Sequence, residues 1–253
     1  MQVLKQHKIV ILVAVLLVVV LVVSFFVVQN SLKSTPSATP SPGVSSTPSP
    51  SPTPTTIPIL SSGEVIQFQG QNLTSISAFV KDLVQHPDVS IAGVQNINQA
   101  TYRLSITGLV NQTMDYTYDD VVNNFTSYQK VATLPCVEGW SATVLWQGVR
   151  LSDILQKAGA SSNATTLIFY ASDGYTTALP MDYVMQNNIM IAYKMNNVTL
   201  TTRTGWPFFL VAQNQYGYKW IMWLTRIDVS NDSSYLGYWE SQGYPNNATV
   251  ISG

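Results

Sequence analysis

The chain has 253 residues, 46% of them hydrophobic, and its charged fraction of 10% lies well under the roughly 25% of typical soluble domains. The formal net charge is −1, and residues 63–253 hold nine Lys plus Arg against thirteen Asp plus Glu. Nothing here supplies the concentrated basic face by which nucleic-acid binders displace counterions. Cys136 is the only cysteine and His7 and His86 the only histidines, which excludes zinc signatures and an intramolecular disulfide framework.

Residues 9–28 form an uninterrupted apolar run of about twenty residues, enough to cross a bilayer at about 1.5 Å per residue. Lys5 and Lys8 precede it and only Lys33 follows closely. That bias makes 1–8 a cytoplasmic N-terminus, 9–28 a transmembrane signal anchor, and everything beyond it extracytoplasmic. A cleaved signal peptide is the rival reading, although the run is long and no small-x-small site ends it. Residues 29–62 are rich in Ser, Thr and Pro, as in Ser49-Pro50-Ser51-Pro52. Such a segment cannot form a core, and it reads as an extended stalk or a plain linker. The expected product is a single-pass protein of the cell membrane, with residues 63–253 as a folded domain on the outer face. Seven Asn-x-Ser/Thr sequons, at Asn72, Asn111, Asn124, Asn163, Asn197, Asn231 and Asn247, are more than chance supplies and fit a glycosylated exterior.

In chain order, 102–106 alternates as a strand that Gly108 ends, and Tyr118–Asn124 opens as a short helix. Segments 129–134 and 141–146 read as strands on either side of 135–140. Leu151–Ala158 repeats apolar residues at helical spacing, with Gly159 as its stop. Strands at 167–171 and 175–179 flank an Asp173-Gly174 turn. A short helix starts at 182–186, and 189–193, 208–212, 220–223 and 226–229 are strand-like. Many short strands with a few short helices make the domain α+β.

Cys136 lies in the loop between two of these strands. A thiolate there is a strong nucleophile and a soft metal ligand; the alternative is a buried cysteine acting as a small apolar residue. A free thiol for redox sensing or covalent dimerisation is a further reading.

The run Cys136-Val137-Glu138-Gly139-Trp140-Ser141, followed by Trp146-x-Gly148-Val149-x-Leu151-x-Asp153-x-Leu155, resembles the central motif of the sulfite oxidase-like family of molybdopterin-binding domains. Further matches follow in order: Ser172-Asp173-Gly174-Tyr175-Thr176-Thr177-x-Leu179-Pro180, Gly205-x-Pro207, Tyr216-Gly217-Tyr218-Lys219-Trp220, Trp223-Leu224-Thr225-Arg226-Ile227, and Tyr235-Leu236-Gly237-Tyr238-Trp239-Glu240. The resemblance covers about residues 101–244. It implies the family's fold of mixed β-sheets with short helices, and a molybdenum-molybdopterin cofactor with Cys136 as the metal's thiolate ligand. It also implies a two-electron oxygen-atom transfer on a small substrate. By the same resemblance Tyr175 stands at the substrate side, Asp173 belongs to the cofactor-binding segment, and Lys219 lies near the cofactor phosphate. The reading of the residues alone leaves Tyr175 equally open as a strand aromatic packed on its sheet.

The sequence departs from the family at the phosphate. Thr204 and Phe209 stand where the family has His and Arg around Gly-x-Pro, and Met222 stands where it has Lys. Replacing Arg by Phe removes a planar bidentate anion partner. Arg203 partly substitutes for that charge. No paired arginines precede the apolar run, where folded cofactor enzymes carry a twin-arginine export signal. Without a haem motif, electrons require a separate transfer partner. The alternative is a cofactor-free descendant that binds a ligand or partner at the cell surface.

Overall fold

In the computed structural model, which describes residues 63–86 and 90–250, the chain opens with a two-strand ribbon, β1 (Gln67–Phe68) and β2 (Gln71–Asn72). The N-terminal residues 1–8, the anchor expected at 9–28 and the stalk at 29–62 lie outside the described residues. Among the described residues no helix is long and apolar enough to cross a membrane.

Helix α1 (Ile76–Gln85) follows. Ser75 caps it, its Oγ accepting from the Ala78 N–H at 3.2 Å, and Glu64 Oε1 accepts from the Ile76 N–H at 2.6 Å. These carboxylate and hydroxyl groups satisfy donors that a helix start otherwise leaves open. Ile76, Phe79, Val80 and Leu83 share one face by helical spacing, and fully buried Phe79 anchors that face.

Strands β3 (Leu104–Gly108) and β4 (Met114–Tyr116) come next, then helix α2 (Tyr118–Asn124), which a Thr117–Asp120 capping box starts. The long hairpin β5 (Tyr128–Pro135) and β6 (Ser141–Arg150) runs into helix α3 (Leu151–Ala158), closed by Gly159 at φ 66°. Then come β7 (Thr166–Ala171), β8 (Thr176–Pro180), α4 (Met181–Gln186), β9 (Met190–Met195) and β10 (Val198–Thr199). A 3-10 turn at Thr202–Thr204, β11 (Phe209–Val211), a second at Gly217–Lys219, β12 (Leu224–Ser230) and α5 (Tyr238–Ser241) complete the chain.

The strands form two five-stranded sheets. One runs β10-β9-β6-β5 with β11 added on β9; the other runs β4-β3-β12-β7-β8. Among the described residues only β12 and β3 pair in parallel. Gly148 sits at the irregularity where β6 meets β9, and a Cβ there would approach the Ile191 carbonyl oxygen to 2.0 Å. No other residue fits at that close approach. The core is continuous and apolar, with Trp146, Phe169, Phe208 and Phe209 among its largest fully buried side chains. The mixed sheets with short helices agree with the α+β expectation.

The segment 220–223 departs from its expected strand. Trp223 adopts φ 52°, its N–H donates to the Gly205 oxygen, and its carbonyl accepts from the Ser172 N–H. A left-handed residue breaks the side-to-side alternation a strand requires, so this stretch joins two loops instead of extending β12. All seven sequon asparagines are exposed.

Candidate functional site

Cys136 occupies the five-residue turn that links β5 to β6. The strands stay in register up to Pro135 opposite Ser141; within the turn the Cys136 N–H donates to the Trp140 oxygen at 2.8 Å, and Gly139, at φ 91°, donates to the Cys136 oxygen at 3.2 Å. The hairpin thus presents Cys136, half-buried, on the wall of a cavity of about 80 Å³. Leu134, Trp140, Tyr175, Tyr218, Trp220 and Trp239 form much of that wall. Its one charged lining residue is Glu138, whose carboxylate lies 3.7 Å from the Cys136 Sγ and 3.2 Å from His86 Nδ1. Burial pushes the Cys136 thiol up from its ordinary range, only partly opposed by the Glu138 backbone N–H. A thiol in that state is protonated, and a metal cation is what would ionise it.

The turn between β7 and β8 places two more of the expected residues. Asp173 Oδ1 accepts from the Tyr175 N–H and its Oδ2 from the Ile91 N–H, both at 3.0 Å. Asp173 therefore shapes the turn and ties segment 90–94 to it. Tyr175 reaches the same cavity as Cys136, but its hydroxyl already donates to the Tyr218 carbonyl at 2.6 Å. Burial raises this phenol far above its ordinary pKa, with Glu240 adding to the effect. Tyr175 is a neutral hydrogen-bond donor.

Lys219 is placed elsewhere. Its Nζ is ion-paired with Glu240 Oε1 and donates to the Ala178 carbonyl at 3.1 Å and Asn246 Oδ1 at 3.0 Å; both charged side chains are almost wholly buried. Thr177 Oγ1 also donates to Glu240, at 2.9 Å. With all its donors committed, Lys219 is a structural cation and has none free for a phosphate. Of the residues expected around the site, the fold thus brings Cys136 and Tyr175 to one cavity, sets Asp173 behind it, and turns Lys219 away.

The departures at 204, 209 and 222 are explained by packing. Thr204 is buried and its Oγ1 accepts from the Thr201 N–H at 2.7 Å. Phe209 lies 4.9 Å from Trp146, ring to ring, and 6.3 Å from Phe79 of α1. A Cβ on Gly205 would meet the Phe209 ring at 2.8 Å and the Met222 side chain at 3.1 Å, so both side chains press on that glycine. Thr204, Phe209 and Met222 are thus all buried, and none of them carries a charge.

Beyond this packing lies a second cavity, of about 420 Å³, which shares Leu83 and Met222 with the first and has Arg203 as its one charged lining residue. Both Leu83 and Phe79 come from α1, which the sequence elements above do not include. The signal was present: 76, 79, 80 and 83 are apolar at helical spacing behind Ser75, a preferred cap.

A sequence profile described as "Oxidoreductase molybdopterin binding domain" matches residues 91–239. The uncharacterized oxidoreductase YuiH of Bacillus subtilis is 35% identical over a stretch spanning 56% of this chain and 72% of its own. The putative protein-methionine-sulfoxide reductase subunit YedZ1 of Azospira oryzae is 32% identical, across 60% of this chain and 57% of its own. Human mitochondrial sulfite oxidase is 27% identical across 60% of this chain, which spans one third, 33%, of that protein. Among solved structures, the sulfane dehydrogenase SoxCD of Paracoccus pantotrophus superposes with a TM-score of 0.53 at 24% identity, covering 55% of this chain and 41% of that one; this likeness speaks for the fold. Helix α1 and Tyr244, which both line the cavity, fall outside the matched residues.

Proposed function

This chain belongs to the oxidoreductase molybdopterin binding domain family, and from that membership we propose a membrane-anchored extracytoplasmic oxidoreductase whose reactive centre is the Cys136 cavity. The carrying observation is that its sole cysteine stands on the wall of an aromatic cavity, beside Tyr175, at the end of a rigid hairpin. Among the described residues no cluster of three or more His, Cys, Asp or Glu is formed. Cys136 is the one thiol of the sequence, and in this reading further ligands come with the cofactor.

The donor type at Cys136 and the room in the neighbouring cavity support a molybdopterin in this reading. A thiol suits a soft, redox-active metal, and the adjoining cavity of about 420 Å³ lies within the roughly 300–1,000 Å³ of small-molecule and cofactor sites. Cys136 would hold the metal and Arg203 the anionic end, where 204, 209 and 222 bring no charge. Bound there, the cofactor supplies a two-electron centre for passing an oxygen atom to or from a small molecule. The chain's own residues do the rest. Trp140, Trp220 and Trp239 line the cavity beside the thiol, and Tyr175 keeps its proton and donates to whichever oxygen displaces the Tyr218 carbonyl. Electrons pass to or from a separate protein partner in this reading.

The anchor at 9–28, flanked by Lys5 and Lys8, supports a domain held on the outer face. The exposure of all seven sequon asparagines agrees with that placement and with glycosylation.

A second reading, a cofactor-free ligand-binding domain, draws on the apolar packing of Phe209 and Met222 and on the committed Lys219. Elemental analysis of the protein purified from its own membranes separates the two. About one molybdenum per chain, lost in Cys136→Ser while the fold persists by circular dichroism, is expected. Native protein without molybdenum would sink the enzyme reading and leave the second.

A further inference from the structure

The cavity beside Cys136 has an unusual wall. Rings supply half of its lining residues, Trp140, Tyr218, Trp220, Trp239 and Tyr244 among them. They are set at steep angles to one another, Tyr244 to Tyr218 at 64° with centroids 5.2 Å apart and Tyr244 to Trp239 at 60° and 5.4 Å. The faces of such rings carry negative partial charge. The one ionised lining group is a carboxylate, that of Glu138, at the partly exposed rim. No Lys or Arg lines this cavity; Arg203 belongs to the neighbouring one and Lys219 is paired with Glu240. The group facing Glu138 is the His86 imidazole, which also stacks on Trp140 at 6.0 Å.

An oxyanion entering here meets aromatic rings and a carboxylate, with no cationic partner among the lining residues. A cation meets attraction from each ring face it covers and from Glu138. Space restricts the choice further. At about 80 Å³ the cavity is small, which restricts it to a compact head group and leaves the remainder of a ligand outside.

We propose that this cavity binds a methylated cationic head group, quaternary ammonium or sulfonium, and rejects small oxyanions. The inference rests on the reading of the Cys136 cavity as the substrate side of the site, and it narrows the substrate to molecules bearing such a group. Binding is through ring faces and one carboxylate, so it requires no redox step.

The test is calorimetric titration of the full-length protein, in detergent, with choline, with its uncharged isostere 3,3-dimethylbutan-1-ol, and with sulfite. Choline is expected to bind saturably and about tenfold more tightly than the uncharged isostere, the scale of a desolvated cation–π contact. Sulfite is expected to give no saturable heat. Glu138→Gln at the rim, and Tyr244→Leu, which keeps apolar area but removes a ring face, should each weaken choline severalfold or more while leaving the isostere unchanged. Equal affinity for choline and its isostere, tighter binding of sulfite, or choline binding indifferent to both variants overturns the proposal. These readouts do not depend on metal content. A molybdenum-free protein that still prefers choline defeats the enzyme reading alone, and a molybdenum-loaded protein without the preference defeats the cage alone.

Discussion

At the scale of single residues, Lys219 and Glu240 show how far a resemblance carries. The motif around Lys219 matches the family, and the match suggests a cation for the cofactor phosphate. What decides its role is Glu240, twenty-one residues further along, which packs against the same lysine out of solvent. A buried charge left without its partner is costly, and the pair is worth keeping only because each member satisfies the other. Lys219→Met strands the Glu240 carboxylate, one of whose oxygens already lacks a hydrogen-bond partner. Denaturant unfolding should show a loss of about 3–5 kcal/mol. The double variant with Glu240→Leu should recover much of it, because two apolar side chains replace two charges. If Lys219→Met is instead nearly neutral, the ammonium is not held where the structure puts it. Cys136 and Tyr175 differ from Lys219 in this respect. A hairpin and a turn local in sequence set their backbones, whereas the cavity they share is closed by distant residues such as Tyr218, Trp239 and Tyr244.

At the scale of elements, legibility tracks the range of the interactions involved. Helix Leu151–Ala158 matches its sequence expectation at both ends, because apolar spacing and Gly159 act within a few residues. The β5–β6 hairpin extends a little past its expected limits, to Pro135 and Arg150. Segment 220–223 reads as a strand by composition, yet tertiary hydrogen bonds to Gly205 and Ser172 hold Trp223 in a left-handed conformation that no local pattern announces. Helix α1 is the opposite case, present in the spacing but set apart from the motif-bearing stretch. Its position has consequences for the site, since Phe79 packs edge-on against Trp140 and Trp146 while Leu83 lines both cavities. Phe79→Ala removes a fully buried ring, and a cost of about 3–5 kcal/mol is expected by thermal or denaturant unfolding. The same substitution should loosen Trp140, read as a red shift of tryptophan emission at temperatures where the domain is still folded. A stability loss with no change in emission would confine α1 to a covering role away from the cavity.

At the scale of the whole molecule, a chain with a charged fraction of 10% leaves little for ion pairs to do. Among the described residues there are two, and one of them involves a histidine. The sheets are instead held by burial, and tyrosines do much of the joining. Tyr102 donates across to the Leu224 carbonyl of β12 at 2.6 Å, Tyr175 to the Tyr218 carbonyl at 2.6 Å, and Tyr218 to the Pro245 carbonyl at 2.8 Å. Tyr118 stacks on Phe208, centroids 5.4 Å apart. Burial raises the pKa of each of these phenols, those of Tyr118 and Tyr218 to about 12, that of Tyr175 further still, and that of Tyr102 well above its ordinary value. The unfolded chain ionises its tyrosines near pH 10, so the folded state holds protons that the unfolded state releases. The sign follows: their stabilisation is complete below about pH 10 and is lost as pH rises through the folded values near 12. Urea midpoints should therefore fall steeply between those limits. Phenolate absorbance from these buried tyrosines should emerge together with the loss of near-ultraviolet circular dichroism. Salt should shift the transition little, since few exposed pairs exist for it to screen. Ionisation of Tyr102, Tyr118, Tyr175 and Tyr218 themselves near pH 10, in a protein that keeps its tertiary signal, would mean that water reaches these hydroxyls in the folded state. The contacts joining Tyr102 to β12 and Tyr175 to the Gly217–Lys219 turn would then be open, and with them the wall that closes the Cys136 cavity.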